Sequence, residues 1–368
     1  MVNLDPERFQ RSLLEYLSKL YKTPVRLLYL GPINKEAASS EGLKEFGYGK
    51  TLLVEFEVKG GVKSLVLSSM TENIFGHQHF SDRAQALLLA HSCFNKLPKH
   101  VKSVDVGVFT SKGGMISLGD AEEFFIVTEK VEGKLYYLDL ERVKSTGVLT
   151  KLDEDRATVL ADYLASIHKV KGGDPSLYVR RIRDLIGHGE CLMGLTDSYP
   201  PNLDFTTPEE LKEIEKKCVE YRYKIKFKTS RLCQVHGDFH PWNILFREGV
   251  DFTVIDRSRG EWGEAADDLA SITINYLFYA LQATGKVEGP FLKLFNLFWS
   301  RYLEATGDEE ILTVIAPFYA WRGLVVASPI WYPRLENKIR RKIFTFIHNI
   351  LECDKLSLRE VPLMFEEM

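Results

Sequence analysis

The sequence predicts an α+β protein in two parts, a β-rich first third and a mainly helical remainder. Three observations predict it. Between Val25 and Lys130, short runs rich in β-branched and aromatic residues alternate with glycine-bearing turns. From Glu154 onward, apolar residues recur at helical spacing. Between these patterns and the C-terminus, Val235–Phe246 reads V-H-G-D-F-H-P-W-N-I-L-F, two short apolar strands joined by a polar turn, and a further apolar run from Phe252 closes on Asp256.

Each element has its own warrant. Phe9, Leu13, Leu14, Leu17 and Leu20 form one face of a helix over Pro6–Tyr21. Val25–Leu30, Thr51–Val58 and Lys63–Ser68 read as strands, the last two separated by Gly60-Gly61. A helix over Asp82–Phe94 follows, then strands near Val104–Thr110 and Phe124–Lys130. Ala157, Leu160, Ala161, Leu164 and Ile167 make a helical stripe through Glu154–Lys169. Residues 171–231 read as a long insertion holding a basic patch (Arg180, Arg181, Arg183), a Gly/His/Glu-rich segment and a charged helix over Thr207–Lys228. That helix is capped by Thr207, with Pro208 in its first turn. Asp267–Thr284, Gly289–Ala305, Ile311–Val326 and Asn337–Cys353 complete four further helices.

Composition excludes several classes. The chain has 368 residues, 45% of them hydrophobic and 27% charged, the balance of an ordinary globular protein with material for more than one domain. A formal net charge of −3 does not suit a nucleic-acid binder. No apolar run reaches 18 residues; Ile311–Ile330 is broken by Arg322, Pro317 and Pro329, so no membrane span is expected. Five scattered cysteines without C-x-x-C spacing, and no signal-like N-terminus, lead to an expected cytoplasmic location with reduced thiols.

The turn carries the chemistry. His236, Asp238 and Asn243 lie on it, and the next strand delivers Asp256. Two carboxylates and an amide are hard oxygen donors of the kind magnesium takes, with water and phosphate completing its shell. In kinases an Asp receives the proton of the attacking hydroxyl, an Asn five residues later ligates metal, and a following Asp does so too. Here Asp238 to Asn243 spans that interval, and Asp256 follows on its own strand.

His236-x-Asp238-x4-Asn243 resembles the catalytic loop of the aminoglycoside phosphotransferase and choline kinase superfamily of small-molecule kinases. Ile255–Asp256 resembles its metal-binding strand end, and Trp262–Ala270 its W-G-D-P-x-x-D-L-A continuation. The resemblance implies a protein kinase-like bilobal fold. Residues 1–131 would form an N-terminal nucleotide-binding lobe, an antiparallel sheet with one or two helices. Residues 132–368 would form a helical C-terminal lobe holding the catalytic loop 235–246, the metal strand 252–256 and the substrate-region insertion 171–231. It further implies an ATP- or GTP-dependent phosphotransferase acting on a small-molecule hydroxyl, with Asp238 as base and Asn243 and Asp256 as Mg2+ ligands. His236 and Asp268 would support the site. Gly47, Gly49 and Lys50 have phosphate-loop spacing, and Glu129 and Val131 stand at the implied adenine-binding hinge. His188, Glu190 and Glu264 are candidates for substrate contact. A carboxylate rim (Glu261, Glu264, Asp267, Asp268) would attract an amine, whereas the arginine patch would attract an acid, so the two cues oppose each other. The partners expected are a nucleotide and a small molecule, with no nucleic acid and no membrane.

One feature departs from the family. Its third strand carries a Lys paired with a Glu of the next helix. Here Ser68 stands about where that Lys is expected, and Arg83 or Gln85 near the expected Glu. Arg83, Lys63 or Lys50 could supply the charge instead. The alternative is a pseudokinase or ligand-binding regulatory module.

Overall fold

The computed structural model describes residues 5–33 and 49–366. They fall into two compact units, one ending at Thr128 and the other beginning at Glu129.

The first unit opens with α1 (Pro6–Leu20), started by Pro6 in its first turn. A three-stranded antiparallel sheet follows: β1 (Arg26–Gly31), β2 (Gly49–Val58) and β3 (Gly61–Met70), in that order. Alternation along β2 turns Val54, Phe56 and Val58 inward, where they meet Leu13 and Leu17 of α1. Next come α2 (Phe80–Phe94), with a capping box between His79 and Asp82, and a small hairpin of β4 (Gly107–Phe109) and β5 (Met115–Ser117).

The expected strand over Phe124–Lys130 does not form: these residues have no regular structure. Phe125, Ile126 and Val127 are at least 82% exposed. An apolar run becomes a strand only where a ladder partner takes its amides and carbonyls, and this run has none among the described residues.

The second unit starts with a short strand β6 (Lys134–Leu135), then α3 (Tyr137–Thr146) and α4 (Lys151–His168), the latter closed at its start by a Thr150–Asp153 capping box. The region read as an insertion holds α5 (Pro175–Gly187), α6 (Leu192–Ser198) and α7 (Pro208–Ile225), which contribute Tyr178, Ile182, Leu195 and Ile214 to the main core. Thr207 caps α7, its hydroxyl accepting from Glu210 N at 3.1 Å.

Four short strands then frame the loop of interest. β7 (Cys233–Gln234) pairs with β10 (Trp262–Gly263), whereas β8 (Ile244–Phe246) pairs with both β6 and β9 (Phe252–Val254). The loop therefore bridges two sheets; it is not the turn of one hairpin.

The chain finishes with α8 (Ala265–Thr284), α9 (Gly289–Thr306), α10 (Ile311–Val314), α11 (Ala316–Ala327) and α12 (Asn337–Glu352). The single helix expected over Ile311–Val326 is broken because Pro317, in the first turn of α11, has no N–H to continue the α10 ladder. Every residue of α8 from Ala265 to Leu281 is buried, as expected of a helix apolar nearly all round. α3, α4, α9, α11 and α12 all contact it. Burial of each large side chain there is worth roughly 1.5–3 kcal/mol, and this core fixes where the N-terminus of α8 stands.

Candidate active site

The loop between β7 and β8 is held from below by the first turn of α8. The Asp268 carboxylate, fully buried, accepts from the backbone N–H of His236 at 2.8 Å and of Gly237 at 2.7 Å. Its third partner is the imidazole of His168 on α4, 3.1 Å away, whose other nitrogen meets the Tyr302 hydroxyl at 2.9 Å. Burial alone would raise the Asp268 pKa; hydrogen bonding to His168 and the loop amides outweighs it and holds the carboxyl below its ordinary value. Gly237 has φ +87°, a conformation that favours glycine, and a Cβ there would sit 3.2 Å from that of Arg259.

Asp238 follows at once. Arg322 of α11 donates to its Oδ1 at 2.6 Å and to the Gly237 carbonyl at 3.1 Å, and shares Asp267 Oδ1 at 2.9 Å. Arg181 of α5 closes the far side of Asp267. His240 Nε2 lies 3.6 Å from Asp238 Oδ2 and Arg259 Nη2 3.9 Å from the same oxygen. Burial pushes Asp238 upward in pKa, but His240 and the two arginines prevail, and the carboxyl is held far below the usual carboxylate range. Asp238 is thus ionised at any working pH.

Asn243 is tied to the backbone at, or next to, both aspartates. Its Nδ2 donates to the Asp238 carbonyl at 3.0 Å, leaving Oδ1 as the oxygen available to a cation. Its own carbonyl accepts from Ile255 N at 2.9 Å, one residue before Asp256. Asp256 is exposed, with φ +60°. Left-handed backbone costs an L-residue about 1–2 kcal/mol, least for Asp and Asn, and such strain gathers at functional sites. Asp256 and His236 line a cavity of about 220 Å3 with Tyr163, Gln234 and Arg257. His236 Nδ1 accepts from Asp238 N at 3.3 Å, and burial lowers its pKa, so the neutral ring braces the loop.

The remaining sequence candidates lie elsewhere. Glu264 is not a substrate contact: it is fully buried, caps α8, and is spent on Arg231 at 2.7 and 2.9 Å and on the Tyr178 hydroxyl. With Asp267 and Asp268 equally consumed, the expected amine-attracting rim does not exist. Exposure falls only on Glu261. His188 caps the end of α5 and accepts from Glu190 N at 3.2 Å; the Glu190 carboxylate is 3.6 Å from Arg259. In the first unit, Gly49 and Lys50 begin β2, opposite Met70 and Ser69. A Cβ on Gly49 would come within 2.0 Å of the Ser69 carbonyl, so strand approach alone demands glycine there. Gly47 lies outside the described residues. Arg83 donates to the carbonyls of His77 (2.7 Å) and Gln78 (3.1 Å) ahead of α2. Glu129 and Val131 open the second unit without regular structure. Arg181 belongs to the basic patch read from the sequence, whereas Arg259, Trp321 and Arg322 have no such signal in the motif. The one available signal was an arginine inside the most apolar stretch of the chain.

The loop thus presents an aspartate and an asparagine, the aspartate held by arginine, followed by an exposed aspartate at positive φ. Residues 114–287 match the model of the phosphotransferase enzyme family. The methylthioribose kinase of Bacillus cereus (strain AH820) is 28% identical over 109 residues, 30% of this chain and 28% of that protein; the enzyme of Bacillus thuringiensis (strain Al Hakam) gives the same figures. The match thus spans well under a third of the length of these curated relatives. Among solved structures, an ethanolamine kinase of Plasmodium vivax covers 87% of this chain (78% of its own) at 15% identity and TM-score 0.36. An amicoumacin kinase in complex with AMP-PNP, Ca2+ and amicoumacin covers 85% (89% of its own) at 15% identity and TM-score 0.40. At such scores the likeness is too loose to assign a function.

Proposed function

We propose that this protein transfers the γ-phosphoryl group of ATP or GTP to a hydroxyl of a small molecule. The observation that carries the reading is the hydrogen-bonded series Asp238–Asn243–Ile255/Asp256, clamped to α8 through Asp268. Asp238 orients the acceptor hydroxyl and receives its proton as the oxygen bonds to the γ-phosphorus and the bond to the bridging oxygen breaks, releasing nucleoside diphosphate. Its low basicity is no obstacle, because the proton moves late, when attack has acidified the hydroxyl. Asn243 Oδ1 and Asp256 suit magnesium, which takes one or two protein oxygens and fills its shell from phosphate and water. When bound, the ion neutralises charge on the β- and γ-phosphates.

The second reading, a pseudokinase or ligand-binding module, is favoured by one observation. Ser68 of β3 stands where the family has its lysine, and neither Lys50 nor Lys63 has a carboxylate partner among the described residues.

Calorimetric titration with ATP and GTP, each with and without magnesium, separates the two. Magnesium-dependent binding lost in Asp256→Asn, with turnover lost in Asp238→Asn, is the expected result. Absence of binding at millimolar nucleotide establishes the pseudokinase.

A further inference from the structure

We infer that Arg259 binds an anionic group of the acceptor, so that the alcohol phosphorylated belongs to a hydroxylated acid and not to an amine. This rests on the phosphotransferase reading above and adds the acceptor class.

Position is the first ground. Arg259 Nη2 is 3.9 Å from Asp238 Oδ2, so a molecule whose hydroxyl reaches Asp238 brings its neighbouring atoms beside this guanidinium.

Availability is the second. Arg322 is committed to Asp238, the Gly237 carbonyl and Asp267, and Arg181 to Asp267 and the Arg259 carbonyl. Arg259 is different. Its nearest carboxylate oxygens, on Glu190 and Asp238, are 3.6 and 3.9 Å away, beyond hydrogen-bond length. Its Nη1 has only the Cys191 sulfur at 3.8 Å, and its buried Nε has no partner among the described residues. A five-donor fork with so few acceptors is matched to a carboxylate or phosphate.

Preorganisation is the third. The Arg259 guanidinium lies 5.0 Å from the centre of the buried Trp321 ring, and Arg322 lies 3.9 Å from it. The Trp321 indole N–H donates to the Glu190 carbonyl at 3.2 Å, joining the α5–α6 turn to the same platform. Aromatic packing of this kind holds an arginine in place without consuming its donors.

The negative groups complete the case. Glu264, Asp267 and Asp268 are each buried against a cation or the catalytic loop, and Asp238 is paired to Arg322. An ammonium group would meet Arg259, whose nearest carboxylate besides Asp238 among the described residues is the 65%-exposed Glu190.

The test is a panel of acids with matched neutral and amine counterparts: glycerate against glycerol and ethanolamine, gluconate against glucose and glucosamine, ribose 5-phosphate against ribose. Two readouts are taken, calorimetric binding and nucleoside diphosphate release above the acceptor-free rate. At least one acid is expected to have a higher kcat/KM than its counterparts. Arg259→Gln is expected to raise KM for that acid about tenfold or more, the order of one lost charge-assisted contact, while the neutral counterpart stays within about twofold. Arg259→Lys falls between. Glu190→Gln, at an exposed position that does not threaten folding, is expected to lower the KM for the acid by freeing the guanidinium. Preference for the amines overturns the inference, and so does nucleotide binding with no response to any acid. An equal fall in kcat for acids and neutral alcohols in Arg259→Gln overturns it too, placing Arg259 on the transferring phosphoryl group. Acid binding that depends on Arg259 but gives no turnover sinks the phosphotransferase reading and leaves the anion site standing.

Discussion

Replacing Asp268 tests whether the site is built on α8. In Asp268→Ala, the backbone N–H groups of His236 and Gly237 and the His168 ring lose their shared acceptor at a position sealed from water. Each buried bond to a charged acceptor is worth roughly 1.5–3 kcal/mol, so losing the two loop bonds alone costs about 3–6 kcal/mol. Asp268→Asn keeps one oxygen and turns an NH2 group toward a donor, for a loss of about half that. The assay is urea unfolding followed by tryptophan fluorescence, with the purified variants also assayed for turnover. Turnover should fall further than stability predicts, because the same bonds aim Asp238. An Asp268→Asn protein whose unfolding midpoint matches the wild type would refute the claim that this carboxylate anchors the loop.

Three further outcomes follow from the geometry. Burial depresses the folded-state pKa of His236, so its stabilising contribution is complete above the unfolded value near 6.5 and is lost as pH falls through it. Unfolding midpoints between pH 7.5 and 5.5 should decline less steeply in His236→Gln, and an unchanged slope would contradict the assignment. At Asp256 the positive φ predicts that Asp256→Gly leaves the ligand-free melting temperature unchanged or higher, whereas the β-branched Asp256→Val lowers it; equal melting temperatures would remove the strain argument. Thiol labelling under native conditions should modify Cys93 first and Cys353 slowly. Cys191, whose thiol burial pushes up to about 11, and the equally buried Cys218 and Cys233 should react only on unfolding.

Much of the site was legible because it is local. His236, Asp238, Asn243 and Asp256 lie within one stretch, and the strand–turn chemistry between them needs no distant information. What failed is long-range. Glu264 and Asp267 read as part of an exposed acidic rim because their partners are remote in the chain: Arg231 is 33 residues from Glu264, while Arg322 and Arg181 are 55 and 86 from Asp267. Charge counting cannot tell a solvated carboxylate from one buried against an arginine of another helix. Within 171–231 the helix from Thr207 was legible, but α5 and α6 were not: polar and glycine-rich residues mask the helical spacing of Leu177, Tyr178, Ile182 and Leu185, although Asp174, which accepts from Ser176 N, and Pro175 mark the start of α5. The Phe124–Lys130 expectation erred the opposite way, since apolar content suggested a strand that no ladder completes.

The first turn of α8 joins parts of the chain that are remote in sequence. Glu264 takes Arg231, Asp267 takes Arg181 and Arg322, and Asp268 takes His168 and the loop itself. Four side chains and the loop itself thus dock on one helix end where Asp238 is held. Lesions in α4, α5 or α11, far along the sequence from Asp238, are therefore expected to displace this loop while the helices still register as intact.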